Sequence, residues 1–539
     1  MELTLLDWVI IVAYFVIALG IGLVFSKRAG KGIVEYFVSG RSLPWWIAGT
    51  SMVATTFAAD TPLAVTQLTA ENGLAGNWVW WAMALGGMFT VFVYARLWRR
   101  SEVITDVELI SIRYSGKPAR FLRAFRSIYV AGLVNSIIIG WVVGAMLTIL
   151  KETVLSEMPP TYLGMPTDWL LIVSMLGVVG VYSTLSGLWG VAITDFLQFF
   201  LAMGGCIALA VLAVNHVGGV EALQTQLAAT HPDGQQAFRF LPDFSSADPW
   251  MPVHIFLLLL TVQWWATWYP GAEPGGGGYV VQRMASCKDE KHSLLATLWF
   301  QVAHYCVRPW PWLIVAFVAL VMFPEIRELD NPGVGFPRVI AALAPPGLAG
   351  LLLVTFFAAF MSTISTQMNW GASYLVNDVY KPFINPEASD KDLAIASRLA
   401  SILVLVVGAG VSFVMAELDV GVATAWKFLL ALGAGTGAVF MLRWFWWRIN
   451  AWSEIAAMGG SLFVFVFMQI ANRKLGLADE EIMAIVAFST ILIWVCATFA
   501  TRPEPEEKLR AFYRRIRPGG PGWKPIAALE PKTEADKNL

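Results

Sequence analysis

The amino-acid sequence is divided by about a dozen separate apolar runs of roughly 17 or more residues, and this repetition limits the fold more than any other feature. One helix needs about 20 such residues to cross a bilayer, and a soluble chain of 539 residues would not contain so many of these runs. The composition agrees, since 57% of the residues are hydrophobic and only 14% are charged. The sequence therefore predicts an all-α polytopic membrane protein with about 13 transmembrane helices, which we number 0 to 12.

Charge along the loops predicts how these helices are oriented. Most of the 37 Lys and Arg residues fall on one side of the predicted topology, which is the bias expected of cytoplasmic loops. The first apolar run, residues 7–25, has Glu2 and Asp7 before it and Lys27 and Arg28 after it, the reverse of the charge order in a signal peptide. We therefore expect a retained helix 0, an N-terminus outside and a C-terminus in the cytoplasm, as in a multi-pass protein of the cell (inner) membrane.

Two of the predicted helices contain segments that cannot remain regular α-helix. In helix 1 the sequence ATTFAADTP places Asp60 near Pro62 in mid-membrane, and in helix 6 QWWATWYPGAEPGGGG combines two prolines with four consecutive glycines. Irregular backbone at this depth survives only where it lines a cavity or is buried in protein. Breaks in helices five apart predict an inverted five-plus-five repeat with a binding site near the middle of the membrane. The expected hinge of the second break is formed by Pro270, Gly271, Gly275 and Gly276.

This repeat predicts the organisation of the whole chain. The expected units are residues 1–27 (an extra N-terminal transmembrane helix), 45–214 (first repeat, helices 1–5), 251–443 (second repeat, helices 6–10), 452–501 (two peripheral helices) and 502–539 (a tail). The tail is basic and rich in Pro and Gly, which predicts a cytoplasmic segment without fixed structure. The four cysteines are scattered and predict neither a disulfide framework nor a metal site.

Helix 8 contains the segment AAFMSTISTQMN, residues 358–369, which carries hydroxyl side chains in the middle of an apolar run. At helical spacing the small and polar positions form two overlapping stripes. The stripes are Ala359, Ser362, Thr363 and Thr366, and Ser362, Ser365, Thr366 and Asn369. Two such groups of small oxygen ligands suit a hard alkali cation such as Na⁺. Ser and Thr in membrane helices also bond back to a carbonyl of their own helix or hold helices together without any ion, and this alternative stays open.

Asp195 in helix 5 and His304 in helix 7 are further polar residues at membrane depth. An intramembrane carboxylate is by default a candidate for a functional site, the alternative being a salt bridge to a loop arginine. His304 forms no HExxH motif and is interpreted as a packed or cavity-lining residue.

These segments resemble the sodium:solute symporter family, which includes sodium/proline, sodium/galactose and sodium/sialic acid transporters. The resemblance covers about residues 7–501 and rests mainly on YFVSGRSLPWWIAGTSMVAT, SGLWGVAITDFLQ and AAFMSTISTQMN. It implies a leucine-transporter-like fold and Na⁺-coupled symport by alternating access. The implied main sodium site consists of the carbonyls of Ala54, Phe57 and Ala359 and the hydroxyls of Ser362 and Thr363. The implied second site, present in some members, consists of Asp195, Ser362, Ser365 and Thr366. Because all of these groups are present, we expect two Na⁺ ions per transport cycle.

Charged, hydroxyl and aromatic side chains near the helix breaks are the candidates for binding the solute. They are Asp60, Thr61, Trp264, Trp268, Glu273, Arg308 and Lys427. An aromatic wall suits the C–H face of a sugar or an amine, whereas Arg308 and Lys427 would suit a carboxylate. We expect a small polar organic solute, a sugar or sugar acid, with an amino acid, an amine or a carboxylate as the alternative. The charges could instead neutralise one another across the cavity.

Two other classes of function find less support in the sequence. A membrane solute sensor would need a signalling domain, and the tail after Arg502 is too short to provide one. An intramembrane enzyme would need a catalytic motif, and we find no such pattern around the polar residues. We therefore expect a monomeric secondary transporter, not an enzyme, that uses Na⁺, lies in the lipid bilayer and binds no nucleic acid.

Overall fold

Helices form nearly all of the regular structure in the computed structural model, which describes residues 1–29, 31–230, 234–245, 249–266, 275–418, 426, 429 and 433–531. Among these residues, nine helical segments are long and apolar enough to cross a membrane. Shorter apolar helices are found at Thr167–Val181, Val253–Ala266 and Pro332–Leu343. The all-α multi-pass architecture is as predicted. The count of about 13 spans stays a prediction, because helices 6 and 10 include residues outside the described ranges.

The helices of the N-terminal half are α1 Leu5–Ala29, α2 Ile33–Val38, α3 Trp45–Thr56, α4 Asp60–Asn72, α5 Trp78–Trp81, α6 Ala84–Phe89, α7 Ala95–Ser101, α8 Leu109–Arg113, α9 Gly116–Ile128, α10 Asn135–Glu152, α11 Thr167–His216 and α12 Val220–Thr230. One short antiparallel pair of strands, β1 Thr161–Tyr162 and β2 Met165–Pro166, precedes α11.

The described helices of the C-terminal half are α13 Val253–Leu258, α14 Trp264–Ala266, α15 Gly278–Ser286, α16 Glu290–Val302, α17 Pro309–Met322, α18 Gly335–Leu343, α19 Leu348–Ser373, α20 Asp390–Glu417, α21 Gly437–Leu442, α22 Ala451–Leu475, α23 Asp479–Ala500, α24 Glu506–Ile516 and α25 Lys524–Ala527. Several of the membrane helices are extended by π-helical turns, of which Tyr374–Ile384 after α19 is the longest.

Predicted helix 1 is divided into α3 and α4. α3 ends at Thr56, Phe57 has the non-helical angles φ −90° and ψ 70°, and α4 begins at Asp60. Pro62 lies in the first turn of α4, where a missing N–H group costs no intrahelical hydrogen bond. The proline therefore starts the second half of the helix, and the irregular residues lie just before it. The predicted break in helix 1 is confirmed.

Predicted helices 4 and 5 are the two helical segments of α11, which meet at a sharp kink. The bend is at Gly187, which has φ 57° and ψ −174°, angles that only glycine adopts readily. Asp195 lies two turns after this bend and faces the interior of the protein, where it is fully buried.

Predicted helix 6 has non-helical residues directly before α15, which begins at Gly278. Gly275 and Gly276 have φ angles of 81° and 83°, in the left-handed region that favours glycine. A Cβ at Gly275 would contact the ring of Tyr94, and one at Gly276 would contact the ring of Trp98. Pro270 and Gly271, the other two predicted hinge residues, lie outside the described residues.

α19 is the central helix of the bundle and packs against α1, α3, α10, α11 and α20. Every residue from Ala358 to Ser373 is buried. The hydroxyl-bearing stretch therefore faces protein rather than lipid, which is where polar side chains at membrane depth are stable.

The segment after Arg502 contains the helices α24 and α25, so the prediction of a tail without fixed structure is wrong. α24 buries an apolar stripe at helical spacing, formed by Leu509, Phe512, Tyr513 and Ile516. This stripe packs against the ends of α7 and α8. The overall composition of the tail does not reveal this short amphipathic helix. The helical spacing of its apolar residues is the signal that predicts it.

Candidate functional site

α19 meets the break between α3 and α4 through the side chain of Thr363. Its Oγ1 lies 2.9 Å from the carbonyl oxygen of Thr55 and 3.1 Å from that of Ala359, so the hydroxyl can donate to either. Thr55 lies in the sequence between Ala54 and Phe57, the two residues of helix 1 predicted to bind sodium. The residues predicted for the main sodium site therefore share one buried seam.

The oxygen atoms at this seam suit an alkali cation. Because α3 ends here, the carbonyls of its last turn lack the regular donor four residues later. The carbonyl of Ala54 accepts the N–H group of Phe57 at 3.1 Å instead, which leaves its second lone pair for another partner. Carbonyl and hydroxyl oxygens, without thiol or imidazole groups, are the ligands that hard cations prefer. The residues present fit a sodium ion.

The residues predicted for the second sodium site gather around the carboxylate of Asp195. Its Oδ1 accepts the hydroxyl of Ser362 at 2.6 Å, and its Oδ2 accepts the hydroxyl of Ser51 at 2.5 Å. Ser365 donates to the carbonyl of Ser362 on its own helix, at 3.0 Å. This last contact is the back-bonding alternative considered for the hydroxyls of α19.

Arg283 of α15 adds a positive charge that the sequence did not predict at this cluster. Its Nη2 lies 2.6 Å from Thr366 Oγ1 and 3.6 Å from Asp195 Oδ2, and its Nε lies 3.2 Å from Ser51 Oγ. The sequence placed Arg283 in a cytoplasmic loop, which is wrong because α15 continues to Ser286 and buries the arginine fully. The available signal was its position within two turns of the glycine break.

A cavity of about 120 Å³ lies beside the residues predicted to form the main sodium site. Three of the residues predicted to bind solute, Asp60, Thr61 and Arg308, line it. The lining residues that the sequence missed include five with aromatic side chains and one with an amide, which are Trp80, Trp141, Tyr279, Tyr305, Trp426 and Gln367. Thr363 lines the cavity as well, so one hydroxyl belongs both to the cavity and to the predicted sodium site.

Aromatic rings form much of the cavity wall. Trp80 stacks on Tyr305 with ring centroids 5.7 Å apart and an interplanar angle of 20°. Trp141 meets Trp426 edge to face, with centroids 6.4 Å apart. Flat, amphipathic surfaces of this kind suit a solute that has both C–H faces and polar edges.

The guanidinium group of Arg308 is held by protein groups at the edge of the cavity. Its Nη1 lies 3.2 Å from Thr56 Oγ1 and 3.5 Å from the carbonyl oxygen of Val53, and its Nη2 lies 3.4 Å from His304 Nε2. The group also lies 5.2 Å from the centroid of the Trp312 ring. Several of its donors are therefore used within the protein, and Arg308 joins α17 to the end of α3. His304 is a cavity-lining residue, as interpreted from the sequence.

Among the described residues that line the cavity, two buried carboxyl or amide oxygen atoms have no hydrogen-bond partner within the described structure. They are Asp60 Oδ1 and Gln367 Oε1, and both residues line the cavity. Leaving a buried polar atom unpaired costs about 1–3 kcal/mol, and more for a charged group. A molecule in this cavity that offers hydrogen-bond donors would remove that cost.

Of the remaining predicted solute residues, Trp264 is the one within the described part of the chain. Trp264 packs on Phe89 of α6, with ring centroids 5.9 Å apart, and does not belong to the lining. The π-helical turn Leu259–Gln263 just before it changes the face on which Trp264 lies, which the sequence pattern does not reveal. Trp268, Glu273 and Lys427 lie outside the described residues.

Comparison with known proteins shows which family and which solved structures the chain is similar to. A family model described as the sodium:solute symporter family matches residues 36–462. Over 521 residues the chain is 24% identical to a sodium/mannose cotransporter of Bos taurus, covering 87% of this chain and 81% of the relative. It is 23% identical to a sodium/glucose cotransporter of Vibrio parahaemolyticus over 523 residues, covering 91% of each. Among solved structures, it is similar to a Na⁺-coupled sialic acid symporter, with a TM-score of 0.72, 19% identity and coverage of 94% of this chain and 100% of the other.

Proposed function

The chain belongs to the sodium:solute symporter family, and on that premise we propose that it moves a neutral sugar together with Na⁺ across the membrane by alternating access. The family and the relatives are transporters and not enzymes. The fold is the leucine-transporter-like fold predicted from the sequence, shared with the sialic acid symporter.

The choice of a sugar as the solute rests on the two acceptor atoms in the cavity that have no hydrogen-bond partner in the described structure. Asp60 Oδ1 and Gln367 Oε1 require donors, and the hydroxyl groups of a sugar are donors. The walls formed by Trp80 and Tyr305 suit its C–H faces. The named relatives include sodium/glucose and sodium/mannose cotransporters, which transport solutes of this class.

The position of Arg308 favours a neutral sugar over a sugar acid. A carboxylate would need a cation that can donate into the cavity, whereas the guanidinium group of Arg308 contacts Thr56, the carbonyl of Val53 and His304. An added anion would also lie close to the buried carboxylate of Asp60, where like charges repel. The sugar acid, amine and amino acid alternatives are tested below.

Coupling in this proposal follows from the seam between α3 and α19. A sodium ion bound to oxygens of both helices favours the conformation in which they are close together, and Thr363 extends from that seam into the cavity. Linkage between two sites of this kind amounts to about 1–3 kcal/mol. Each ion that enters down a potential of 100 mV adds about 2.3 kcal/mol of driving force.

Two ions per cycle and the orientation of the termini also belong to the proposal. Ser362 donates to Asp195, and Arg283 contacts both Asp195 and Thr366, so three of the four predicted ligands belong to one cluster that supports a second ion. A second ion could reach the oxygens of Asp195 and Thr366 only if the guanidinium group of Arg283 moves away from them. The N-terminus is proposed to lie outside and the C-terminus in the cytoplasm, from the distribution of Lys and Arg.

Uptake by purified protein in proteoliposomes tests the function. We expect labelled glucose or mannose to accumulate under an inward Na⁺ gradient and not under a K⁺ gradient. Thr363→Val keeps the shape of the side chain and removes the hydroxyl, so it should raise the Na⁺ concentration for half-maximal uptake about tenfold. Thr363→Ser, which keeps the hydroxyl, should stay close to the wild type.

The same assay defines the results against the proposal. Equal uptake under Na⁺ and K⁺ gradients would contradict sodium coupling. Uptake of sialic acid, an amine or an amino acid, with no uptake of hexoses, would contradict the assignment of a neutral sugar and favour the corresponding alternative.

A further inference from the structure

Arg283 makes the predicted second sodium site different from an ordinary set of ion ligands. Three of its nitrogen atoms have polar partners within the cluster: Nη2 contacts Thr366 at 2.6 Å, Nε contacts Ser51 at 3.2 Å, and Nη1 contacts Gln282 Oε1 at 3.0 Å. The side chains of Arg283 and Asp195 are both fully buried. A buried carboxylate needs one positive charge nearby, and in this structure the guanidinium supplies it.

The atoms that hold Arg283 are the atoms expected to hold the second ion. Thr366 Oγ1 and Asp195 Oδ2 belong to the predicted ligand set, and each lies within 3.6 Å of Nη2. The hydroxyl of Ser362, also in that set, donates to Asp195 Oδ1 at 2.6 Å. A sodium ion bound to the same oxygens would lie almost in contact with the guanidinium, and two positive charges at that distance repel strongly in a buried site.

We propose that Arg283 is a tethered competitor of the second sodium ion, so that the guanidinium and the ion exchange for the oxygens of Asp195 and Thr366. This inference rests on the proposed sodium-coupled function and specifies which residue sets the affinity of the second ion. Both cations carry a single positive charge, so the exchange keeps Asp195 neutralised at every stage. Because Arg283 belongs to the helix after the glycine break, the exchange also links occupancy of the ion site to the position of α15.

The competition predicts a specific response to removing the charge of Arg283. In Arg283→Gln the second ion no longer competes with a guanidinium, so we expect the Na⁺ concentration for half-maximal binding of that ion to fall about tenfold. Without Na⁺ the carboxylate of Asp195 is left buried and unpaired, so the melting temperature in K⁺ should fall below that of the wild type. Added Na⁺ should raise the melting temperature of Arg283→Gln again, because the ion binds only the folded protein. This increase should be larger than the increase for the wild type.

Two further variants separate the effect of the charge at position 283 from the effect of the side-chain shape. Arg283→Lys keeps a positive charge but presents a single point donor instead of a planar fork, so its sodium affinity should lie between those of the wild type and Arg283→Gln. The double variant Arg283→Gln with Asp195→Asn removes both charges. It should bind Na⁺ only at the main site, and the additional response of Arg283→Gln should disappear in this background.

The measurements are equilibrium binding of ²²Na⁺ and thermal unfolding of the purified full chain, over a series of Na⁺ concentrations with K⁺ holding the ionic strength constant. If Arg283→Gln is too unstable to purify, Arg283→Lys and the double variant carry the test. A sodium affinity and a sodium-dependent melting shift that are the same in all Arg283 variants and the wild type would overturn the competition, provided Thr363→Val still weakens sodium binding. A wild type that does not respond to sodium at all would overturn the proposed function, and the competition with it.

Discussion

The carboxylate of Asp7 lies at the N-terminal end of α19, the helix that carries the predicted sodium ligands. Its Oδ1 accepts the N–H groups of Gly347 at 2.8 Å and Gly350 at 2.7 Å, and its Oδ2 accepts both polar groups of Thr4. The first turn of a helix has N–H groups without intrahelical acceptors, and a carboxylate at this end satisfies them and matches the helix dipole. Helix α1 therefore holds one end of α19 in place through a single side chain.

Replacing this carboxylate tests its role in positioning α19. Asp7→Ala removes the acceptor of the two backbone N–H groups, so we expect the free energy of unfolding to fall by about 1–2 kcal/mol. Thermal unfolding of the purified protein measures the change. Glu2→Ala, at an exposed acidic residue of the same segment, is the matched control and should leave the melting temperature unchanged. Equal melting temperatures in the two variants would show that Asp7 does not stabilise α19.

Single residues can be singled out from the sequence where their chemistry is unusual for a membrane, but not where their role depends on distant partners. Asp60 and Thr363 are out of place in apolar helices, and both line the cavity. From the sequence, Asp7 indicates only the orientation of helix 0, because its hydrogen-bond partner Gly350 lies 343 residues away in the chain. Arg283 was assigned to a loop for the same reason, since the charge that explains its burial is on α11.

At the scale of elements, the breaks in the helices could be predicted because they depend on local sequence. Pro62 and the consecutive glycines from Gly275 onwards oppose regular helix whatever surrounds them. The position of Trp264 could not be predicted, because a π-helical turn before it alters the direction of its side chain without any sequence signature. The helix in the tail was missed because the composition of a segment says little about the spacing of four apolar residues within it.

The glycine break is the element whose mobility the proposed mechanism requires. Gly276→Ala places a Cβ at φ 83°, where it would contact Met284 and Trp98, and this conformation costs about 1–2 kcal/mol for a residue with a side chain. We expect a lower maximal uptake rate at saturating Na⁺ in the proteoliposome assay. Movement at this hinge depends on the backbone conformation that glycine allows. Gly132→Ala, where no neighbouring atom lies within 4 Å of the added Cβ, should keep the wild-type rate. Equal rates in the two variants would contradict the hinge.

At the scale of the whole molecule, the segments at the two ends of the chain brace the repeats that form the site. α1 packs against α11 and α19, and the tail packs against α7 and α8. Arg113 of α8 donates to the carbonyls of Trp446, Trp447 and Ile449 and lies 4.9 Å from the ring of Trp523 in the tail. The tail therefore covers the arginine that joins α8 to the segment between α21 and α22.

An ion pair within the tail gives this docking a dependence on pH. The hydrogen bond from Arg510 to Glu530, at 2.6 Å, together with the positive charge of Arg514, holds the pKa of the Glu530 carboxyl below its ordinary value. A lowered pKa means that the pair stabilises the docked tail above the ordinary carboxyl pKa of about 4.3, and that this contribution is lost as the pH falls through the lowered value. The contribution is thus complete at pH 7 and decreases only in acid.

Hydrogen exchange of the amides in α24, corrected for the intrinsic effect of pH, measures how firmly the tail is docked. In the wild type we expect protection to be constant from about pH 7 to pH 5 and to fall below the ordinary carboxyl pKa, because the protonated Glu530 no longer binds Arg510 as an ion pair. Arg510→Gln removes the partner, so its protection at pH 7 should already be reduced and should change less in acid. Lys524→Gln removes the same charge from an exposed position in the tail and should behave as the wild type does. If both variants show the wild-type profile, Leu509, Phe512 and the rest of the apolar stripe hold the tail without help from the ion pair.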